Sequence, residues 1–228
     1  MKYLIVFTLF FFETLAFAQA GNENISYSTG NFFMRANRPT TLEYVIDGNP
    51  YINSKEFKQV TIPGYSSNVQ NLRYNGFVDE MEFEDGGEIY YTNKEDGLKI
   101  TFKDLNKIYQ ILNYSYDNKK RFGYLVLLGE FHEYALYKRE KVELLKGEKS
   151  PSAFGKDAND YYAKERDLYL VKKDSTFFKF PKNTKEFTES FSVNKSNFGN
   201  FVRTNKLSFS KEEDILKMMN YINHSKSK

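Results

Sequence analysis

The 228 residues carry 33 Lys and Arg against 30 Asp and Glu, a formal net charge of +3, with both signs interspersed along the chain. A nucleic-acid footprint needs a clustered basic face, so this pattern excludes a nucleic-acid partner and describes a mixed, solvated surface. There is no cysteine, which removes disulfides, thiolate metal sites and a cysteine nucleophile. The 18 Tyr and 22 Phe, with no Trp, favour strands and supply a large core. The excess of Lys, Asn, Tyr, Phe and Ile is the codon signature of an AT-rich genome, so a lone Lys or Asn carries little meaning.

The chain opens with Met1-Lys2, a mostly apolar run from Tyr3 to Phe12, and then Ala18-Gln19-Ala20. Charge, short apolar segment and small residues occur in the order of a signal peptide, with cleavage after Ala18 or Ala20. The run is too short for a bilayer, which needs ~20 apolar residues, and Glu13 breaks it. Residues 1–20 are therefore expected to be removed. What remains has no transmembrane segment and is expected to be periplasmic or secreted. Residues 21–40 read as a polar leader, 41–223 as a single β-rich domain, and 224–228 as a polar tail.

Strands are expected from residue 41. Thr41 to Ile46 ends at Asp47-Gly48-Asn49-Pro50, and Phe57 to Ile62 ends at Pro63-Gly64, both turn sequences. Between Val78 and Glu84, Met81 and Phe83 alternate with Glu80, Glu82 and Glu84, the period of a strand with one core face and one wet face. Asp85-Gly86-Gly87-Glu88 reads as a tight hairpin turn, and Glu88 to Tyr91 pairs back. Leu98 to Phe102 alternates strictly.

Lys107 to Tyr116, Phe122 to Leu128, Phe131 to Lys138 and Val142 to Leu145 form a meander. Tyr124 to Leu128, apolar on both faces, belongs at its centre. A loop over 147–157 precedes strands at Tyr161-Tyr162, Leu168 to Val171 and Thr176 to Phe180. After Pro181 the spacing becomes helical, at Asn183 to Phe191 and Lys195 to Asn205. Ser210, with Glu213 three residues later, has the form of a capping box. It opens a third helix with an Ile215, Met219, Ile222 stripe. The expected fold is mainly β (α+β): a single antiparallel β-meander of about ten strands, barrel-like or a sandwich. Its C-terminal helices (183–223) would cover an edge or a mouth, because open edges invite aggregation.

Candidates for chemistry are few. His132 and His224 are the only histidines. Glu130 and His132, two apart on an expected strand, share a face. With Glu82 they are the candidates for carboxylate-based hydrolysis; the plainer reading is a solvated strand face. A metal site needs three or four converging ligands, and no such spacing occurs, so neither metal nor cofactor is expected. The acidic run from Asp79 to Glu88 does not match the spacing of an EF-hand calcium loop. Tyr161 and Tyr162, then Tyr90 and Tyr91, are candidates for stacking a glycan, against the simpler reading of tyrosines packed on a sheet. Two S-x-x-K matches, at Ser192 and Ser208, lack the companion S-D-N and K-T-G elements. Asp174-Ser175-Thr176 is similar to a short acceptor motif for periplasmic O-glycosylation.

Leu72-Arg73-Tyr74-Asn75, Asp79-Glu80-Met81-Glu82, Gly123-Tyr124 and Tyr134-Ala135-Leu136-Tyr137-Lys138, with the closing helices, resemble a group of exported proteins from AT-rich, Bacteroidota-like Gram-negative bacteria. The resemblance covers most of the chain after residue 20. It implies export and the fold outline, and no activity comes with it. The expectation is an envelope protein that binds a partner protein or a glycan without catalysis. The alternatives are an envelope hydrolase using carboxylates and a structural subunit of an envelope complex.

Overall fold

The computed structural model describes residues 25–26, 33–36, 45–65, 69–152 and 157–225. The signal segment, most of the leader and the start of the strand expected at Thr41 lie outside them. In chain order the strands are β1 (Ile25–Ser26), β2 (Phe33–Ala36), β3 (Ile46–Asp47), β4 (Val60–Thr61), β5 (Arg73–Asn75), β6 (Glu80–Asp85), β7 (Glu88–Tyr91) and β8 (Lys99–Phe102). They continue with β9 (Lys107–Tyr116), β10 (Lys119–Phe131), β11 (Tyr134–Arg139), β12 (Val142–Leu145), β13 (Asp160–Lys164), β14 (Leu168–Lys173) and β15 (Thr176–Lys179). Three helices close the chain: α1 (Thr184–Phe191), α2 (Lys195–Thr204) and α3 (Glu212–Ser225). No described helix is long and apolar enough to cross a membrane.

The strands form sheets ordered β1-β2-β7-β6-β5, β15-β14-β11-β10-β9-β8-β4 and β12-β13-β3. Pairing is antiparallel except between β13 and β3. The meander is as expected, with β10 at the centre of the seven-stranded sheet. Its turns follow from residue type. Gly86 (φ 58°) and Gly87 (φ 84°) make the β6–β7 hairpin, and Asp117 (φ 50°) and Asn118 (φ 57°) make the β9–β10 hairpin. Positive φ at both positions is the type I′ form of a two-residue hairpin loop, and Gly, Asn and Asp tolerate it best.

The large sheet organises three apolar compartments. On one face, Ile100, Phe102, Tyr109, Ile111, Tyr124 and Val126 meet Tyr74, Met81 and Phe83 of the five-stranded sheet, which makes a sandwich. Farther across that face, Tyr134, Leu136 and Val171 meet Phe187, Phe191, Phe198, Ile215 and Met219 of the helices. On the opposite face the sheet curls around Leu112, Tyr114, Tyr116, Leu125, Tyr137 and Leu170. The curl brings Phe177 of β15 within 5.9 Å of Tyr114 on β9, ring centroid to centroid. No backbone pairing joins β15 to β9, so the curl is not a closed barrel. Each fully buried Phe or Leu contributes ~1.5–3 kcal/mol of hydrophobic transfer.

Three local expectations change. Glu80 and Glu82 are only 7% and 1% exposed, so the expected wet face of β6 is covered at these two positions, while Glu84 stays exposed. The segment from Pro50 to Lys58 lies against β5, pairing Tyr51 with Asn75 and Lys58 with Leu72. It folds Tyr51 and Phe57 onto the Arg73 guanidinium, at 4.1 and 4.3 Å from their ring centroids. His132 leaves the strand for the β10–β11 turn, at φ 49°, so it does not share a strand face with Glu130. Ser210 does not cap α3; its hydroxyl pairs with that of Ser208 at 3.0 Å. A side-chain N-cap related to a capping box occurs instead at α1, with the returning carboxylate bonded one residue before the cap. There Asn183 accepts the Glu186 N–H at 3.0 Å, and the Glu186 carboxylate accepts the Lys182 N–H at 3.0 Å.

Candidate functional site

The β5–β6 connection, Gly76-Phe77-Val78-Asp79, is a tight tip shaped by its own sequence. Asn75 Oδ1 accepts the N–H groups of Phe77 (3.1 Å) and Val78 (3.3 Å), the local bonding that makes Asn a turn former. Asp79 follows in the left-handed region at φ 58°. Its Oδ1 accepts the Tyr74 hydroxyl at 2.8 Å and the Tyr124 N–H at 3.3 Å. Gly123 permits this approach, because a Cβ there would stand 2.0 Å from Asp79 Oδ2. The tip is thereby seated on β10. It leaves Phe77 and Val78 exposed, at 40% and 41%, beside Phe122 at 43%.

A cleft of about 280 Å³ lies between this tip, the β9–β10 hairpin and the β11–β12 junction. Arg121 and Arg139 line it. Strand alternation places both on the curled face, with Tyr114 and Tyr116. The Arg121 guanidinium sits 4.3 Å from the Tyr116 ring centroid. Arg139 Nη1 donates to the Tyr116 hydroxyl at 2.8 Å. The Arg121 Nε–H is buried and reaches no acceptor among the described residues. Nor does any described carboxylate form an ion pair with Arg121 or Arg139, whereas Arg73 pairs with Glu82 at 2.8 Å. Three neighbouring lysines are already engaged: Lys141 by Glu165, Lys179 by Asp117, and Lys94 by Asp79 and Glu80 at 3.5 and 3.4 Å.

The fields of these groups converge. Burial pushes the Tyr114 hydroxyl up to about 12, with Asp79 adding to the rise and Arg139 and Arg121 opposing it. Desolvation also raises the Asp79 carboxyl above its ordinary value, against Lys94, the Tyr74 hydroxyl and the Tyr124 N–H. A carboxylate raised in the folded state is unfavourable at pH values above that range. Asp79 also holds a left-handed φ of 58°. A raised carboxyl and an unusual backbone conformation held at a cleft are features of binding sites.

A buried polar hub extends inward from the cleft wall, where Glu140 is one of the lining residues. Glu140, 3% exposed, takes Lys107 Nζ at 2.9 Å, Lys138 Nζ at 3.2 Å and the Tyr109 hydroxyl at 2.8 Å. Asn53 donates to the same hydroxyl at 2.9 Å. Lys138 continues to Glu212 of α3 at 2.7 Å. Burial alone would raise the Glu140 carboxyl; Lys107, then Lys138 and Tyr109, outweigh it and hold it below its usual value. Every charge here has a partner, which marks a structural joint.

A larger groove of about 650 Å³ runs between β14, β15 and the loop before α3. Two of its charged residues are engaged outside it, Lys179 with Asp117 and Asp167 with Lys164.

The residues singled out from the sequence do not converge on one place. Glu82 is consumed by Arg73 and by Asn75, whose Nδ2 donates at 2.7 Å. Glu130 is 67% exposed and pairs with Lys99 at 3.2 Å. Tyr90 is a core residue stacked on Phe83, with centroids 5.7 Å apart, and Tyr91 is half-buried on β7. Tyr161 is 43% exposed. Tyr162 meets Phe77 edge-on at 5.3 Å, so this tyrosine borders the rim of the cleft. Among the described residues no group of three or more His, Asp or Glu is placed to hold a metal ion. Sequence reasoning passed over Arg121 and Arg139. The available signal was their type: the chain has seven arginines among its 33 basic residues, and these two stand beside aromatic strand residues.

Fold and cleft together define a mainly β protein with a helical cap and a recess lined by arginine and tyrosine. No protein-family model matches the chain, and no curated protein or solved structure does either.

Proposed function

We propose that this is an exported, non-catalytic binding protein that holds a small anionic ligand in the cleft beneath the β5–β6 tip. The observation that carries the reading is the pair of guanidiniums, Arg121 and Arg139, that line the cleft without a carboxylate partner. A cation set in a protein wall without a counter-charge is expensive, and a bound anion offsets that cost. The dispersal of Glu82, Glu130 and His132 favours binding over hydrolysis. Export rests on the segment 1–20. In a Gram-negative host, N-terminal sequencing of the processed protein is expected to begin at Gln19 or Gly21; an intact Met1 would overturn export.

Binding is tested by thermal unfolding in chloride, sulfate, phosphate, acetate and benzoate at matched ionic strength. At least one anion is expected to raise the Tm of the wild type saturably relative to chloride. The shift is expected to vanish in Arg121→Ala and Arg139→Ala. If no anion separates from chloride, or if both variants respond as the wild type does, the cleft is not an anion site.

A further inference from the structure

Which anion fits can be argued from charge, shape and the choice of arginine, taking the binding reading above as given. Around the cleft, Lys141 is cancelled by Glu165 and Lys179 by Asp117. Lys94 faces two carboxylates, Asp79 and Glu80. Inward from the wall, Lys107 and Lys138 balance Glu140 and Glu212. Counting the lining residues alone, Arg121, Arg139 and Lys141 stand against Asp79 and Glu140, which leaves a single positive charge. A monoanion neutralises it. A dianion leaves a negative excess, and it does so beside Asp79.

The two cations are arginines in a chain whose basic residues are mostly lysine. A guanidinium presents a planar fork that matches the two oxygens of a carboxylate, which an ammonium cannot do. Arg121 sits over the Tyr116 ring, and Arg139 is tied to the hydroxyl of the same tyrosine, so both forks are held before a ligand arrives. Such preorganisation reduces the entropy lost on binding.

Apart from Gly76, the uncharged lining of the recess is aromatic, and it stands beside the charged Asp79, Glu140 and Lys141. Tyr74, Tyr114 and Tyr124 line its interior, and Phe77 and Phe122 stand half-exposed at its rim. Ring faces prefer a flat, apolar body. The volume of about 280 Å³ is just under the roughly 300–1,000 Å³ of small-molecule pockets, which limits the ligand to one ring and a short substituent.

We infer that the cleft takes a small aromatic monocarboxylate, its carboxylate on Arg121 and Arg139 and its ring among Tyr74, Tyr114, Phe77 and Phe122. Asp79 acts as a filter: it disfavours a second negative charge, so that phosphate esters and dicarboxylates are rejected.

The experiment is isothermal titration of the processed protein with phenylacetate, acetate and phenylphosphonate at about pH 8, where a phosphonate or phosphate is largely a dianion. Phenylacetate is expected to bind saturably and at least about tenfold more tightly than either of the others. Arg121→Lys keeps the charge but loses the fork and is expected to weaken phenylacetate about tenfold or more, the scale of one charge-assisted hydrogen bond. Asp79→Asn keeps the Oδ1 acceptor and tolerates the same φ. It is expected to tighten phenylphosphonate more than phenylacetate. If phenylphosphonate binds the wild type more tightly than phenylacetate does, the monoanion assignment falls and the anion cleft stands. If acetate matches phenylacetate, the aromatic part falls. If none binds while the circular dichroism spectrum is native and another anion of the thermal panel does, only this ligand class is overturned. If that panel is silent too, the binding reading falls with it.

Discussion

Glu140→Gln is expected to destabilise the protein by about 3–5 kcal/mol, the usual cost of breaking a buried ion pair from one side. The Glu140 side chain is 1% exposed, and those of Lys107 and Lys138 are 20% and 9% exposed. Glutamine keeps the shape but leaves Lys107 without its counter-charge and Lys138 with Glu212 alone. The loss is read from the midpoint of urea unfolding. Adding Lys107→Met to the variant is expected to recover part of it, because an apolar residue removes the uncompensated ammonium. The pH dependence follows from the lowered pKa. A carboxyl depressed by folding adds stability above its unfolded value of about 4.5 and loses it as pH falls through the lower folded value. The gap between wild type and Glu140→Gln should therefore hold steady above about pH 4.5 and close as the pH falls through the lower folded value. A gap that widens on acidification, or a cost under about 1 kcal/mol, the scale of a surface pair, would show that the hub is not a buried joint.

Phe187→Ala is expected to cost about 3–5 kcal/mol, the range for removing a buried aromatic ring. Phe187 is fully buried. It stacks on Phe198 of α2 with centroids 4.0 Å apart and planes 5° apart, and meets Phe191 at 4.5 Å. Phe191 in turn carries the contact to the sheet, edge-on to Tyr134 at 5.0 Å. Among the described residues, the compartment it fills shares one side chain with the sandwich core, Leu128. The damage should therefore be local. Amide exchange is expected to accelerate over 184–225 while β6, β9 and the first half of β10 keep their protection, as separate cooperative units allow. Equal acceleration across both regions would mean that cap and sandwich unfold as one unit.

Much of the architecture could be read from the sequence because it rests on short-range pattern. Lys107–Tyr116 and Val142–Leu145 occur as strands with the expected bounds, since alternation and flanking turns act within a few residues. Asp85 to Glu88 was legible as a hairpin, and the two-faced apolar run at Tyr124 to Leu128 placed β10 at the centre of its sheet. What could not be read depends on partners distant in sequence. Glu82 looked wet because its cover, Tyr51 and Phe57 over Arg73, comes from about thirty residues upstream. His132 looked like a strand residue because nothing in Glu130 to Tyr134 resembles the Gly-rich turn at Gly86-Gly87. The cleft was hidden for the same reason. Asp79, Arg121 and Arg139 come from three different hairpins, and only folding shows that Arg121 and Arg139, unlike Arg73, lack an acid.

The curl of the large sheet has a consequence for motion. Along most of the sheet neighbouring strands are riveted by backbone hydrogen bonds, but where β15 meets β9 the joint is made of side chains alone. Phe177 lies beside Tyr114, and Lys179 pairs with Asp117 and lies 5.4 Å from the Tyr116 ring centroid. Lys179 and Asp117 are 39% and 58% exposed, so dissolved salt screens their attraction. This seam behaves like a spring clip whose stiffness is set by the ionic medium. Tyr114 lines the arginine recess and Tyr116 touches both of its guanidiniums, so the clip and the recess share these two rings.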